Sequence, residues 1–77
     1  MRRLRAIRMR RFLTQQGLAV QLGVPFYTVQ RWESGAAFPQ ARHLEKLCAV
    51  LGVGPDELVE PDEWPQPRRG KASAAAA

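Results

Sequence analysis

A chain of 77 residues with 12 Lys and Arg against 7 Asp and Glu, a net charge of +5, has room for one small core and leans toward anionic partners. One cysteine, Cys48, and one histidine, His43, exclude an intramolecular disulfide and a zinc site built from such ligands. No apolar run approaches the roughly 20 residues of a membrane span, and the first residues lack the apolar core of a secretory signal.

The charge is unevenly placed. Arg2, Arg3, Arg5, Arg8, Arg10 and Arg11 supply half of the Lys and Arg, whereas Asp56, Glu57, Glu60, Asp62 and Glu63 cluster late. One end therefore reads as basic and the other as acidic. A basic end suits nucleic acid or an anionic membrane surface, and a solvated Arg-rich helix face has the same composition. With no acid before Glu33 the start also resembles a transit peptide, but cleaving it would remove the first helix. The protein is expected in the cytoplasm.

Residues 3–11 predict a first helix with Leu4, Ile7 and Arg8 at i, i+3 and i+4, followed by Phe12-Leu13 as the connection. Arg8 on the apolar side is costly unless it meets an acid. Thr14 is the expected N-cap of a second helix, with Gln15 and Gln16 in its first turn and Leu18, Ala19 and Leu22 buried. Gly17 inside that helix costs about 1 kcal/mol against Ala, so packing must hold it. Gly23 ends the helix, and Pro25 forbids its continuation while suiting the first turn of a third.

The third helix is expected from about Pro25 to Ser34, with Val29, Trp32 and Glu33 at i, i+3 and i+4. Its opposite face carries Tyr27, Gln30, Arg31 and Ser34, a continuous polar strip. Glu33, like Arg8, sits where an apolar residue is expected, and pairing the two resolves both anomalies. A bridge between the first and third helices is the expectation.

Residues 35–39 read as a loop closed by Pro39, and residues 40–51 as a fourth helix with Leu44, Leu47, Cys48 and Leu51 at i, i+3, i+4 and i+7, ended by Gly52. Gly54-Pro55-Asp56-Glu57 starts a short fifth helix, and Val53, Leu58 and Val59 close the core. Residues 1–61 are thus expected to form one all-α domain. Residues 62–77, rich in Pro, Arg and Ala, read as a flexible tail in which Trp64 either folds back as a lid or marks a contact surface. No nucleophile, base and orienter stand together and no Gly-rich phosphate loop is present, so neither enzymatic activity nor a cofactor or small-molecule substrate is expected. His43 reads as a helix-surface residue and Cys48 as a small core residue.

Five short helices with a glycine-centred turn between the second and third suggest a helix-turn-helix. Leu18-Ala-Val-Gln-Leu-Gly-Val24, Thr28-Val-Gln-Arg-Trp-Glu-Ser-Gly35, Pro39 and Leu47-Cys-Ala-Val-Leu-Gly-Val53 with Asp56-Glu-Leu58 closely resemble the XRE, or phage-repressor-like, family over about residues 4–60. The resemblance implies a compact five-helix fold of the lambda-repressor kind, a third helix in the major groove of double-stranded DNA, and regulation of transcription, with repression the expected output. Matched by position, Gln15 is the family's second-helix glutamine, which contacts backbone phosphate and supports the recognition helix, Phe26, Tyr27 and Arg31 stand at base-reading positions, and Arg8 and Glu33 at a structural ion pair. The DNA-facing set is Gln15, Gln16, Phe26, Tyr27, Thr28, Gln30, Arg31 and Ser34.

Four departures stand out. Phe12 replaces a frequent glycine, so that turn is expected to differ; Gly17 replaces a frequent acid; Pro25 replaces the usual Ser or Thr cap; and Phe26, which cannot hydrogen-bond a base, either contacts a thymine methyl or simply packs. Arg31 is the leading candidate for base readout, since its planar fork can bond guanine O6 and N7 together, with a phosphate clamp as the alternative. Two functions stay open: a sequence-specific regulator, binding as a homodimer or a monomer, and a protein-interaction or antitoxin-like module that kept the fold.

Overall fold

In the computed structural model, which describes residues 1–65, the chain forms α1 (Leu4–Arg10), α2 (Gln15–Leu22), α3 (Phe26–Ser34), α4 (Ala41–Leu51), α5 (Pro55–Leu58) and a 3-10 turn at Pro61–Glu63. The fold is all-α. Most of the tail expected from residue 62, namely residues 66–77, lies outside the described residues. Among the described residues no helix is long and apolar enough to cross a membrane.

Local chemistry sets the boundaries. Thr14 is extended and its hydroxyl oxygen accepts from the Gly17 backbone N–H at 2.9 Å, which starts α2. Gly17 carries no side chain to return the favour, so only half of a capping box forms. Gly23, at φ 71°, closes α2 in the left-handed conformation that a Cβ resists. Pro25 is the N-cap of α3 rather than its first helical residue, and no side-chain acceptor serves that end.

The turn after α1 departs from expectation. Phe12, in place of a glycine, still adopts φ 57°, the one positive φ among non-glycine residues described. The backbone geometry is therefore that of a glycine turn, because the Leu13 N–H must reach the Arg8 carbonyl at 3.2 Å and the Phe12 N–H that of Met9 at 3.0 Å. Its side chain gains nothing in return: it is 96% exposed. A left-handed residue with a Cβ costs about 1–2 kcal/mol.

Leu4 and Ile7 of α1, Leu18, Ala19 and Leu22 of α2, Val29 and Trp32 of α3, Leu47 and Leu51 of α4, and Leu58 and Val59 form one core, which Met1 also joins. Leu44, Cys48 and Val53 pack against it only partly. His43 is half-buried rather than on the open surface, because its ring lies 5.7 Å from that of Trp32. Trp64 folds back onto Phe38, centroids 5.8 Å apart, and borders an apolar groove with Ala41, Leu44, Cys48 and Pro55.

The two charged ends meet. The Arg2 guanidinium donates to Glu60 and Asp62, each at 2.7 Å, its backbone N–H donates to Glu63 at 2.8 Å, and Arg3 reaches the Glu57 carbonyl at 3.3 Å and Glu60 at 3.4 Å. The backbone amine of Met1 donates to the Trp32 carbonyl at 2.8 Å and lies 3.5 Å from Glu63. Residues 60–63 thus act as a strap holding the chain's first residues against the end of α3. The acidic end therefore offsets the amine of Met1 and the charges of Arg2 and Arg3, and among the described residues the arginines from Arg5 onward do not meet it.

Candidate nucleic-acid interface

α2 and α3 pack more extensively on each other than any other helix pair, around Leu18, Ala19, Leu22, Val29 and Trp32. That packing turns the opposite side of α3 to solvent. Phe26, Tyr27, Gln30, Arg31 and Ser34 are exposed, and Thr28 is half-buried beside them. Tyr27 is 61% and Phe26 41% exposed, so two aromatic rings project at the start of the helix. The Ser34 hydroxyl donates to the Arg31 carbonyl at 3.1 Å, and Gly35, at φ 86°, ends the helix. The Arg31 guanidinium has no hydrogen-bond or ion-pair partner among the described residues, which leaves its whole fork available.

A carboxylate hub lies behind this face. Arg8 Nε donates to Glu33 Oε2 at 2.6 Å and Arg8 Nη2 to Glu33 Oε1 at 3.3 Å, the two side chains being only 10% and 8% exposed. Arg8 Nη1 donates to the Leu13 carbonyl at 2.8 Å. A third donor arrives from Gln15, whose Nε2 meets Glu33 Oε1 at 2.8 Å. Both carboxylate oxygens are thereby satisfied, and no buried side-chain polar atom among those described lacks a partner. The hub ties α1, the first turn of α2 and the end of α3 together at the level of their side chains.

Through its bond to Glu33, Gln15 braces α3, in line with the support of the recognition helix that its matched position implies. It is half-buried, and Gln16 beside it is exposed. Around the hub lies an open polar cleft of about 430 Å³, lined by Arg5, Arg8, Thr14, Gln15 and Glu33. Elsewhere Arg11 Nε donates to the Leu51 carbonyl at 2.8 Å and holds the C-terminal end of α4, where a cation also meets the negative end of the helix dipole. Periodicity sets Arg11 four residues after Ile7, on the side of α1 that meets the core, but does not name its partner across the fold.

Of the six arginines near the start, Arg2, Arg3, Arg8 and Arg11 make intramolecular bonds. Most of the basic cluster is thus engaged within the fold. No group of three or more His, Cys, Asp or Glu residues able to hold a metal ion occurs among the described residues.

A family profile described as a helix-turn-helix domain matches residues 2–60. The chain is 34% identical over 62 residues to an uncharacterized HTH-type transcriptional regulator, YazB, of Bacillus subtilis (strain 168), a match covering 80% of this chain and 90% of that protein. It is also 34% identical over 61 residues to the HTH-type transcriptional activator BcrR of Enterococcus faecalis, covering 79% of this chain but 30% of that one. The chain thus spans less than a third of the length of the enterococcal relative. No solved structure matches.

Proposed function

The chain belongs to the helix-turn-helix domain family, and from that premise we propose that it is a sequence-specific, DNA-binding transcriptional regulator of the phage-repressor type. α3 enters the major groove and Gln15 and Gln16 meet the backbone beside it. The observation that carries this reading is the outward strip of α3: an unpartnered Arg31 flanked by Tyr27, Gln30 and Ser34, all exposed and all on a helix held from behind by the Glu33 hub.

Each residue has a role in this reading. Arg31 bonds guanine O6 and N7, a contact worth about 1–3 kcal/mol of discrimination. Gln30 addresses adenine or steadies Arg31, Tyr27 donates to a base edge or phosphate, Ser34, whose hydroxyl hydrogen is spent on the Arg31 carbonyl, accepts from a base amino group, and Phe26, with no polar atom beyond its backbone, meets a thymine methyl. Thr28, half-buried, borders this strip and contacts the backbone. The DNA-binding domain takes in the strap and Trp64 beyond residues 1–61, since Asp62 and Glu63 hold Arg2 and Trp64 packs on Phe38, and it acts in the cytoplasm without cofactor or catalysis.

Repression requires only that the domain occupy its site, whereas activation requires a further surface for the transcription machinery. The word activator in the enterococcal relative's name belongs to a protein of which 70% lies outside the match. Repression is therefore the output we assign.

Selection of bound sequences from random duplexes, repeated with Arg31→Ala, tests the reading. An enriched motif that loses its information at one guanine position in the variant supports it; a folded protein that enriches nothing refutes it. A motif with two-fold symmetry reports a homodimer on paired half-sites, and a single half-site a monomer. The apolar groove beside Trp64 favours the second reading, an interaction module with weak, sequence-indifferent DNA binding, and the same selection separates the two.

A further inference from the structure

We propose that Arg5 clamps a DNA backbone phosphate in the cleft between α1 and α2, so that the interface extends from α3 onto the first helix. The proposal rests on the DNA-binding reading above and adds a positioning residue on α1 to the backbone contact assigned there to Gln15.

Among the described residues, Arg5 and Arg10 are the two arginines of α1 with neither a carboxylate nor a carbonyl partner. They face different surroundings. Arg5 borders the polar cleft with Arg8, Thr14, Gln15 and Glu33, whereas Arg10 borders a separate hollow with Ile7, Arg11 and Val53. In the cleft the charges of Arg8 and Glu33 offset each other at 2.6 Å, and the charge of Arg5 remains unbalanced. The site therefore favours a single anion.

The remaining polar groups there are donors. Gln15 Nε2 spends one N–H on Glu33 and keeps the other. The Thr14 oxygen accepts from the Gly17 N–H, and its own hydrogen stays available. Both Glu33 oxygens already accept from Arg8 and Gln15, so an incoming anion does not meet a bare carboxylate. A planar guanidinium on α1 and a hydroxyl and an amide N–H at the start of α2 line one cleft and suit the acceptor-only oxygens of a phosphodiester. An open cleft of about 430 Å³ has space for the sugars on either side. Such a contact carries no base information and fixes the domain's register on the duplex.

The salt dependence of binding to the selected duplex measures this directly, because each neutralised phosphate contributes about 0.9 to the slope of log K against log salt concentration. Arg5→Ala is expected to lower the slope by about 0.9 and leave the preferred motif unchanged, and Arg5→Lys to keep most of the slope. Arg10→Ala, an equal loss of charge from the same helix, is expected to keep the wild-type slope. Inorganic phosphate at matched ionic strength is expected to displace no more DNA than chloride does. Equal slopes for Arg5→Ala and wild type, or equal losses for Arg5→Ala and Arg10→Ala, overturn the clamp while leaving the DNA reading standing. Specific displacement by inorganic phosphate also overturns it, in favour of a free-anion site. A wild-type protein that binds no duplex overturns both. Thermal melting of each variant confirms that folding is intact, as expected for exposed side chains.

Discussion

Removing one side of the Arg8–Glu33 pair should be more damaging than removing both. In Glu33→Met the Arg8 guanidinium, in a side chain only 10% exposed, keeps the Leu13 carbonyl alone, and Gln15 loses its acceptor. Breaking a buried pair from one side costs about 3–5 kcal/mol. A domain of this size has about 3–10 kcal/mol in total at 0.05–0.15 kcal/mol per residue, so this single substitution brings it close to unfolding. Arg8→Met leaves Glu33 with Gln15 as its one remaining donor and should be comparably damaging. Arg8→Met with Glu33→Met removes both desolvation costs and replaces the pair by apolar volume. It should cost less than either single substitution, with a coupling of about 2 kcal/mol or more. Urea unfolding followed by far-UV circular dichroism gives all four corners of the cycle, with sucrose added to every sample if a single variant is unfolded in buffer. Additive losses, each below about 1 kcal/mol, would show that the pair behaves as an exposed surface bridge and that the hub does not position α3.

Phe12→Gly should stabilise the domain by about 0.5–1 kcal/mol: relief of left-handed strain of about 1–2 kcal/mol exceeds the entropy gained by the unfolded chain, and an exposed ring forfeits no packing. A lower urea midpoint in that variant would refute this. Acid should loosen the strap. Hydrogen bonding from Arg2 holds the Asp62 carboxyl below its ordinary value. At Glu63 burial pushes upward, but the backbone N–H groups of Arg2 and Glu60 and the nearby amine of Met1 outweigh it, so its carboxyl is also lowered. Groups whose folded values are depressed stabilise fully above the ordinary values of 3.8 and 4.5 and lose that contribution as pH falls through the lowered ones. Melting temperature should therefore fall between pH 5 and pH 2 with a smaller drop in Asp62→Asn; equal drops would remove Asp62 from the account.

Periodicity disclosed what lies along one helix. The Gln15–Leu22 span, the glycine ends at Gly23 and Gly52 and the inward rows of α1 to α4 are local consequences of capping, left-handed φ and a 3.6-residue repeat. What it did not disclose joins residues far apart. Gln15 to Glu33, Arg11 to the Leu51 carbonyl and Arg2 to Glu60 depend on how helices cross, and separate charge clusters look alike whether they meet or face water. Phe12 misled for a different reason: the backbone bonds around the turn outweigh a cost that residue preference alone makes decisive. The outward face of α3 was legible because exposure is the complement of a buried row. The cleft was not, because its walls come from two helices and the end of a third.

The strap also bears on the order of assembly. The bonds from Arg2 and Arg3 to residues 57–63 span 54 to 61 positions of sequence, whereas α2 and α3 meet across a three-residue turn. Loop closure over the whole domain has the larger entropic cost, so the helix-turn-helix core can form while the ends are still apart. Closure of the strap is then a late event, and its reopening a local one that leaves most of the core intact. In kinetic terms the charges at residues 60–63 should slow opening more than they speed folding, and hydrogen exchange at the strap's backbone amides should run ahead of exchange at Val29 and Trp32.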